Sequence, residues 1–243
     1  MKRMTMRGKG NILVVTPKQT INAAWIDAAH DFFDLKITAL ENTNDAGKGI
    51  VVTTYANLAA NDAIMSRDWD AIVADEAHYL SSSQSGKETK SLQKFRALTL
   101  KRGTARARVY AKNRSLVDRM NELDSEASTW EKSDNETLWA KAKDLRKESS
   151  KIHEQLLELE AKEQERISST KKEDMPRAVF LSATPFAYEK NVSWANEFLF
   201  DWGGDQDGLG YNSGNNYERF MMQHFGYRMR YNKLTEPESE VDR

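Results

Sequence analysis

The chain contains no cysteine, which excludes disulfides and thiolate metal sites. Its four histidines, His30, His78, His153 and His224, are scattered. No two of them stand at metal-ligand spacing. No apolar run approaches the ~20 residues that a bilayer demands. The amino-terminal MKRMTMRGKGN is basic but has no apolar segment of the kind a secretory signal needs. These absences predict a cytoplasmic, reducing compartment and no membrane partner. A net charge of −1 removes any global attraction to polyanions, so a nucleic-acid surface has to be local. No stretch reads G-x-x-x-x-G-K-[ST], the loop whose backbone amides and lysine cradle nucleotide phosphates. Two strings come near it. Gly8-Lys9-Gly10 lacks both the preceding glycine and a following hydroxyl, and Gly86-Lys87-Glu88 has a carboxylate where the Mg²⁺-binding hydroxyl belongs.

With 243 residues, 39% of them apolar, the chain can build one sizeable core, or a core with an appendage. Residues 11–100 alternate strand-like and helix-like patterns. Ile12-Leu13-Val14-Val15 reads as a strand buried on both faces, and Gln19 to Phe33 as a helix carrying Ile21, Ala24, Trp25 and Ala28 at helical spacing. Trp25 at that spacing belongs to a core rather than to a base-stacking platform. Lys36 to Leu40 and Ile50 to Thr54 read as further strands, and Tyr55 to Met65 as one short helix. Asp70-Ala71-Ile72-Val73-Ala74 is the next strand, and it delivers Asp75-Glu76-Ala77-His78 at its carboxyl end. Strands alternating with helices imply a parallel sheet flanked by helices, with ligands bound beyond the carboxyl ends of the strands.

Residues 101–172 differ. Val109, Leu116, Leu123 and Trp130 recur every seven residues, as do Leu138, Leu145, Ile152 and Leu159 after a polar break at Glu131 to Glu136. Ala142, Ser149 and Leu156 fill the intermediate positions of a narrow seam. This predicts two long helices folded back as an antiparallel coiled-coil hairpin. Lys101, Arg102, Arg106, Arg108, Lys112 and Arg114 form a basic stretch at its base with no acid among them. That stretch suits either a nucleic-acid contact or a solvated face that pairs with the acidic second arm around Glu154 to Glu165. After Pro176, Ala178-Val179-Phe180-Leu181 reads as another buried strand, ending in Ser182-Ala183-Thr184-Pro185. A helix over Glu189 to Trp202, a loop over Gly203 to Asn216, a short aromatic helix over Tyr217 to Phe225 and a polar tail from Thr235 complete the pattern. The expected domains are 1–100 with 173–204, the hairpin 101–172, and an extension over 205–243.

An Asp-Glu pair leaving a buried strand can hold Mg²⁺ and polarise a water beside a nucleotide phosphate. Ala71-Ile72-Val73-Ala74-Asp75-Glu76-Ala77-His78 resembles motif II, the Walker B box, of superfamily 2 helicases and translocases of the DEAH-box type. Phe180-Leu181-Ser182-Ala183-Thr184-Pro185 resembles their motif III, Val14-Val15-Thr16-Pro17 with Trp25 their motif Ia, and Ile50 to Tyr55 the strand and contact loop that follow. The order is the family's order, and the match covers about half of the chain.

The resemblance implies the first RecA-like domain of such a motor, with ATP and Mg²⁺ as cofactors and nucleic acid, DNA by expectation, as partner. Asp75 would hold the metal, Glu76 would handle the attacking water, and His78 would link the site to a facing domain. Ser182 and Thr184 would couple hydrolysis to domain movement. Pro17, Lys18 and Gln19 would meet the phosphate backbone, as would Thr53 and Thr54. For Lys18 and Gln19 a solvated first helical turn is the alternative. In the family the phosphate loop precedes motif Ia, so the expectation is that it lies ahead of Met1. The second RecA-like domain, with its arginine, is likewise expected in the same or a separate polypeptide. On this reading the chain alone hydrolyses ATP poorly. The competing reading is a non-catalytic RecA-like scaffold that recruits a partner through the hairpin.

Overall fold

Ile12-Leu13-Val14-Val15 has no polar side chain to turn toward water, and strand β1 (Ile12–Thr16) is buried along its whole length. These positions come from a computed structural model that describes residues 10–80, 89–100, 104–133, 135–183, 195, 198–199, 219, 221–231 and 233–235. The chain divides into two compact units, Met1–Ile72 with Lys94–Arg177 and Val73–Gln93 with Ala178–Arg243.

In the first unit, β1 leads through a 3₁₀ turn (Lys18–Thr20) and a π-helical stretch (Ile21–Asp27) into α1 (Ala28–Phe33). Strands β2 (Ile37–Ala39) and β3 (Ile50–Thr54) follow. The β-branched runs pair in parallel, Ile12 opposite Ile50 through Thr16 opposite Thr54, and Ile37 opposite Ile50. Strand β4 (Ala71–Asp75) carries the chain from the first unit into the second, and β5 (Arg177–Leu181) returns it there. One sheet results, ordered β2-β3-β1-β4-β5. It is the expected α/β, RecA-like arrangement.

Gly47 (φ +66°) makes the turn into β3 possible, because a Cβ there would stand 2.6 Å from Val51 Cγ1. The helix expected over Tyr55 to Met65 breaks at Asn61. It forms α2 (Tyr55–Ala60) and then a 3₁₀ turn (Asp62–Ser66). Asn61 is buried, and its side chain bonds outside the helix: the amide donates to the carbonyls of Asn42 (3.0 Å) and Asp45 (2.9 Å), and Oδ1 accepts from Ala63 N. Such local bonding by asparagine competes with helical hydrogen bonds.

The predicted hairpin is present. Its first arm is divided at Asn113 into α4 (Ala105–Lys112) and α5 (Arg114–Trp130), numbered after α3 (Lys90–Leu100). Its second arm is α6 (Glu136–Ser169). Arg119 bonds Glu148, and Asp124 accepts from Arg146 (2.8 Å), so one arm descends as the other rises. The burial differs in weight from the periodicity. Ala142, Ser149, Leu156 and Glu163 form the buried line of α6, while Leu138, Leu145, Ile152 and Leu159 are only half buried.

At the hairpin base, Arg108 is 3% exposed. It donates through Nε to Glu163 Oε1 (2.8 Å) and through Nη2 to Asp68 Oδ1. Arg166 bonds Glu163 (2.6 Å) and Asp68 (3.1 Å), and Lys112 lies 3.5 Å from Glu163. Burial alone would raise the Glu163 carboxyl, but the bonds from Arg166 and Arg108 with the Lys112 charge hold it down at about 2. The same balance, burial against Arg108 and Arg166, leaves Asp68 below the ordinary carboxylate range. Thus Arg108 and Lys112 of the basic stretch pair with the acidic arm. Lys101 and Arg102 lie outside the described residues.

The strand expected to be buried at Ala178 to Leu181 forms, but alternate side chains reach solvent: Val179 is 39% and Leu181 42% exposed. β5 is the last strand in the sheet order among the described residues, and an edge strand has no neighbour to cover its outer side. In the second unit, β6 (Arg228–Arg230) and β7 (Lys233–Thr235) make an antiparallel hairpin within the extension over 205–243, where only loop and helix were expected. Residues 221–225 are helical, as expected. The helix and loop expected over Glu189–Trp202 and 203–216 lie outside the described residues, apart from 195 and 198–199; of the polar tail expected from Thr235, Thr235 ends β7 and 236–243 lie outside the described residues. Among the described residues no helix is long and apolar enough to cross a membrane.

Candidate nucleotide site at the end of strand β4

Four of the five β4 residues are buried, and the fifth, Asp75, is half exposed. The apolar run thus anchors a carboxylate at the point where the sheet meets solvent. Glu76 then takes φ +54°. A non-glycine residue in the left-handed region is strained by about 1–2 kcal/mol, and such strain concentrates at functional turns. Its consequence is a sharp turn into a 3₁₀ segment, Ala77–Leu80, closed by Tyr79 N donating to the Glu76 carbonyl (2.9 Å). Ala77 and Leu80 are buried as the two anchors of that segment.

Three predicted site residues converge within the second unit. Ser182, just past β5, donates its hydroxyl to Glu76 Oε2 (3.3 Å). His78 Nδ1 lies 3.2 Å from Ser182 Oγ and 3.3 Å from Glu76 Oε2. The serine has one proton and gives it to the carboxylate, so its oxygen accepts from His78. That assigns a proton to Nδ1 of the imidazole. The Tyr79 ring lies 4.7 Å from that of His78, tilted by 38°. Serine and histidine thus both act on one oxygen of Glu76, fixing the orientation of its carboxylate. Thr184 lies outside the described residues.

The remaining predicted residues belong to the first unit. Pro17 is buried where β1 ends, and its carbonyl accepts from the Thr20 hydroxyl (2.8 Å) and amide (3.1 Å). Lys18 and Gln19 follow it and are exposed. Thr53 is fully buried; its hydroxyl donates to the Leu40 carbonyl (3.0 Å) and accepts from Asn57 Nδ2 (2.8 Å). That bonding gives Thr53 an internal role, tying β3 to the end of β2. Thr54 is half exposed and caps α2 by accepting from Asn57 N (3.0 Å). Trp25 is half buried.

Among the described residues no group of three carboxylates and imidazoles could hold a metal by itself. Asp75 offers one carboxylate at a strand end. That suits Mg²⁺ arriving with a nucleotide, since Mg²⁺ keeps several waters and commonly takes only one or two protein carboxylates. The donor set present fits that ion and not a dedicated protein cage. Sequence reasoning offered the pairing of the basic stretch with the acidic arm but missed two things: the burial of Arg108 and Glu163 together with the part of Asp68 and Arg166 in their cluster, and the β6–β7 hairpin. The first gave no signal beyond charge. The second was signalled by Arg-Met-Arg and Lys-Leu-Thr flanking a Tyr-Asn pair.

Residues 1–101 match the model of the SNF2-related domain, a superfamily 2 helicase-type domain. The matched span contains β1 to β4 and Asp75, Glu76 and His78. No curated protein matches the chain.

Proposed function

We propose that the chain supplies the metal- and water-handling part of an ATP-dependent nucleic-acid helicase or translocase. The observation that carries this reading is the convergence of Ser182 and His78 on Glu76 Oε2, beside Asp75; Asp75, Glu76 and His78 lie in the span that matches an SNF2-related domain, and Ser182 lies beyond it. Asp75 would hold Mg²⁺, which when bound neutralises charge on the transferring phosphoryl group. Glu76 would orient and deprotonate the attacking water. Ser182 and His78 keep its carboxylate aimed, and Thr184, two residues after Ser182 in sequence, would with Ser182 couple hydrolysis to domain movement.

Lys18 and Gln19, exposed after β1, would contact the nucleic-acid backbone, with Pro17 and Thr54 shaping the two strand ends. Thr53 would act there only through its backbone and its support of Asn57. DNA is the proposed polymer. The lysine that cradles phosphates and the arginine that meets transition-state charge would come from further domains of the same or a separate polypeptide. The test is ATP turnover with and without single-stranded DNA, with those domains present, against Glu76→Gln. Stimulated turnover that disappears in the variant supports the reading; stimulated turnover that survives refutes it.

A further inference from the structure

The helical segment after β1 does not bury the face its sequence offers. Ile21, Ala24, Trp25 and Ala28 stand at helical spacing, the pattern of a helix packed on a core. Yet none of the residues Ile21–Asp27 is buried, and in α1 only Ala29 is. The last two residues of α1 lie furthest out, with Phe32 78% and Phe33 54% exposed. A single exposed apolar side chain is ordinary, but two adjacent aromatics at the end of a half-covered helix mark an interaction surface.

This end of the helix is held in place. Asp34 takes φ +51° and closes it: Asp34 N donates to the His30 carbonyl (3.1 Å) and Leu35 N to the Ala29 carbonyl (3.0 Å). That pair of bonds is a Schellman stop, which satisfies the last carbonyls and fixes the exit of the chain. Aromatics on a fixed support lose little freedom on binding, as an anchor requires.

Charge defines what fits there. Residues 19–35 contain Asp27, Asp31 and Asp34 and no lysine or arginine; Lys18 and Lys36 flank them. All three aspartates are exposed. Their effects meet at His30: its bond to Asp31 (3.0 Å), the Asp31 charge and the charges of Asp34 and Asp27 raise the imidazole above its ordinary value, against desolvation. An aromatic pair rimmed by carboxylates repels phosphates and suits a segment that carries lysine or arginine around an apolar side chain. Its place in the fold agrees. β1 runs into the segment at Thr16, and β2, in the same parallel set, begins at Ile37. Phe32 and Phe33 therefore lie at the amino ends of the strands, the edge opposite Pro17, Lys18 and Gln19.

We infer that the end of α1 is a docking surface for a basic segment of a partner protein, with Phe32 and Phe33 as apolar anchors and Asp27, Asp31 and Asp34 meeting its cations; it rests on neither nucleotide nor nucleic-acid binding. The test starts from a phage-displayed library of random short peptides, selected on the immobilised whole protein and counter-selected on Phe32→Gln with Phe33→Gln. Both positions are exposed and glutamine is a good helix former, so this variant keeps the fold. A thermal melt checks it, and if it melts early Asp27→Lys with Asp31→Lys takes its place. The surviving peptides are expected to carry more Lys and Arg than Asp and Glu around an aliphatic or aromatic residue. A labelled survivor, followed by fluorescence anisotropy, should lose about thirtyfold or more of its affinity in the double phenylalanine variant. It should lose about fivefold or more in Asp27→Lys with Asp31→Lys, where the aromatics are intact. Leu157→Gln, which removes a comparably exposed apolar side chain from α6, should bind as the unaltered protein does, and oligo-dT should not displace the peptide. No surviving peptide, survivors that are acidic or uncharged, or affinity unchanged by the aspartate reversal would overturn the inference. So would displacement by oligo-dT, which gives the face to nucleic acid, or a dimer in sedimentation that the double phenylalanine variant dissolves, which gives it to a second copy.

Discussion

The Ser182 hydroxyl donates to Glu76 Oε2 at 3.3 Å, joining residues 106 positions apart. With His78 Nδ1 on the same oxygen, it fixes a carboxylate that a sharp turn has brought to the end of β4. Removing the hydroxyl should leave the fold nearly unchanged, since one half-exposed bond contributes about 1 kcal/mol or less. It should loosen the aim of Glu76. Ser182→Ala is therefore expected to lower ATP turnover of the assembled ATPase roughly tenfold or more with little change in nucleotide affinity, and Ser182→Thr to retain most of it. Steady-state kinetics on the two variants distinguish this from a role in binding.

Glu163 gives a pH dependence with a definite sign. Its folded carboxyl is held at about 2, against an ordinary value of 4.5. A depressed carboxylate stabilises the fold above its unfolded value and loses that contribution as pH falls through the folded one. The loss should develop between about pH 4.5 and 2 and amount to on the order of 3 kcal/mol. Denaturant unfolding across that range checks it. In Glu163→Gln the acid-induced loss should shrink by a comparable amount.

Arg108 is the buried partner in that cluster. Truncating one side of a buried ion pair leaves the other charge uncompensated, which typically costs 3–5 kcal/mol. Arg166 and Lys112 also reach Glu163, so Arg108→Ala should fall at or just below the lower end, about 2–3 kcal/mol. Replacing Arg108 and Glu163 together by methionine should recover part of the loss. Unfolding free energies of the two single variants and the double variant measure the coupling directly.

Gly47→Ala should be destabilising by about 1–3 kcal/mol, because it combines a positive φ with a contact 2.6 Å from the β-branched Val51. Gly10→Ala, with nothing within 4 Å, is the control and should change stability little. Thermal melts of the two variants suffice.

The strands were legible because a sheet buried on both faces writes itself as continuous apolar runs. Ile12–Val15, Ile50–Thr54 and Ala71–Ala74 form strands as expected. The hairpin was legible from its seven-residue period. The weight of its two seam lines was not, because periodicity places residues on a face without saying which line faces the partner. The break at Asn61 depends on carbonyls at Asn42 and Asp45, distant in sequence. Arg108 and Glu163 looked like solvated charges, and their burial arises only where the two arms meet at the base. Thr53 looked available at a strand end, but its hydroxyl satisfies the Leu40 carbonyl inside the fold. Val179 and Leu181 read as core because apolar runs do not reveal that a strand lies at an edge. At the site, the residue types pointed to Asp75, Glu76, His78 and Ser182. Only the fold reveals that three of them share one oxygen.

The most direct measurement uses Mn²⁺ in place of Mg²⁺ and needs no turnover. Titrating Mn²⁺ with an unhydrolysable ATP analogue into the isotopically labelled chain, with the phosphate-cradling domains present, should broaden the backbone signals of Asp75 and Glu76 first, and Asp75→Asn should abolish that local broadening. Broadening centred elsewhere, or unchanged in Asp75→Asn, would contradict the assignment of a nucleotide-bound metal to the end of β4.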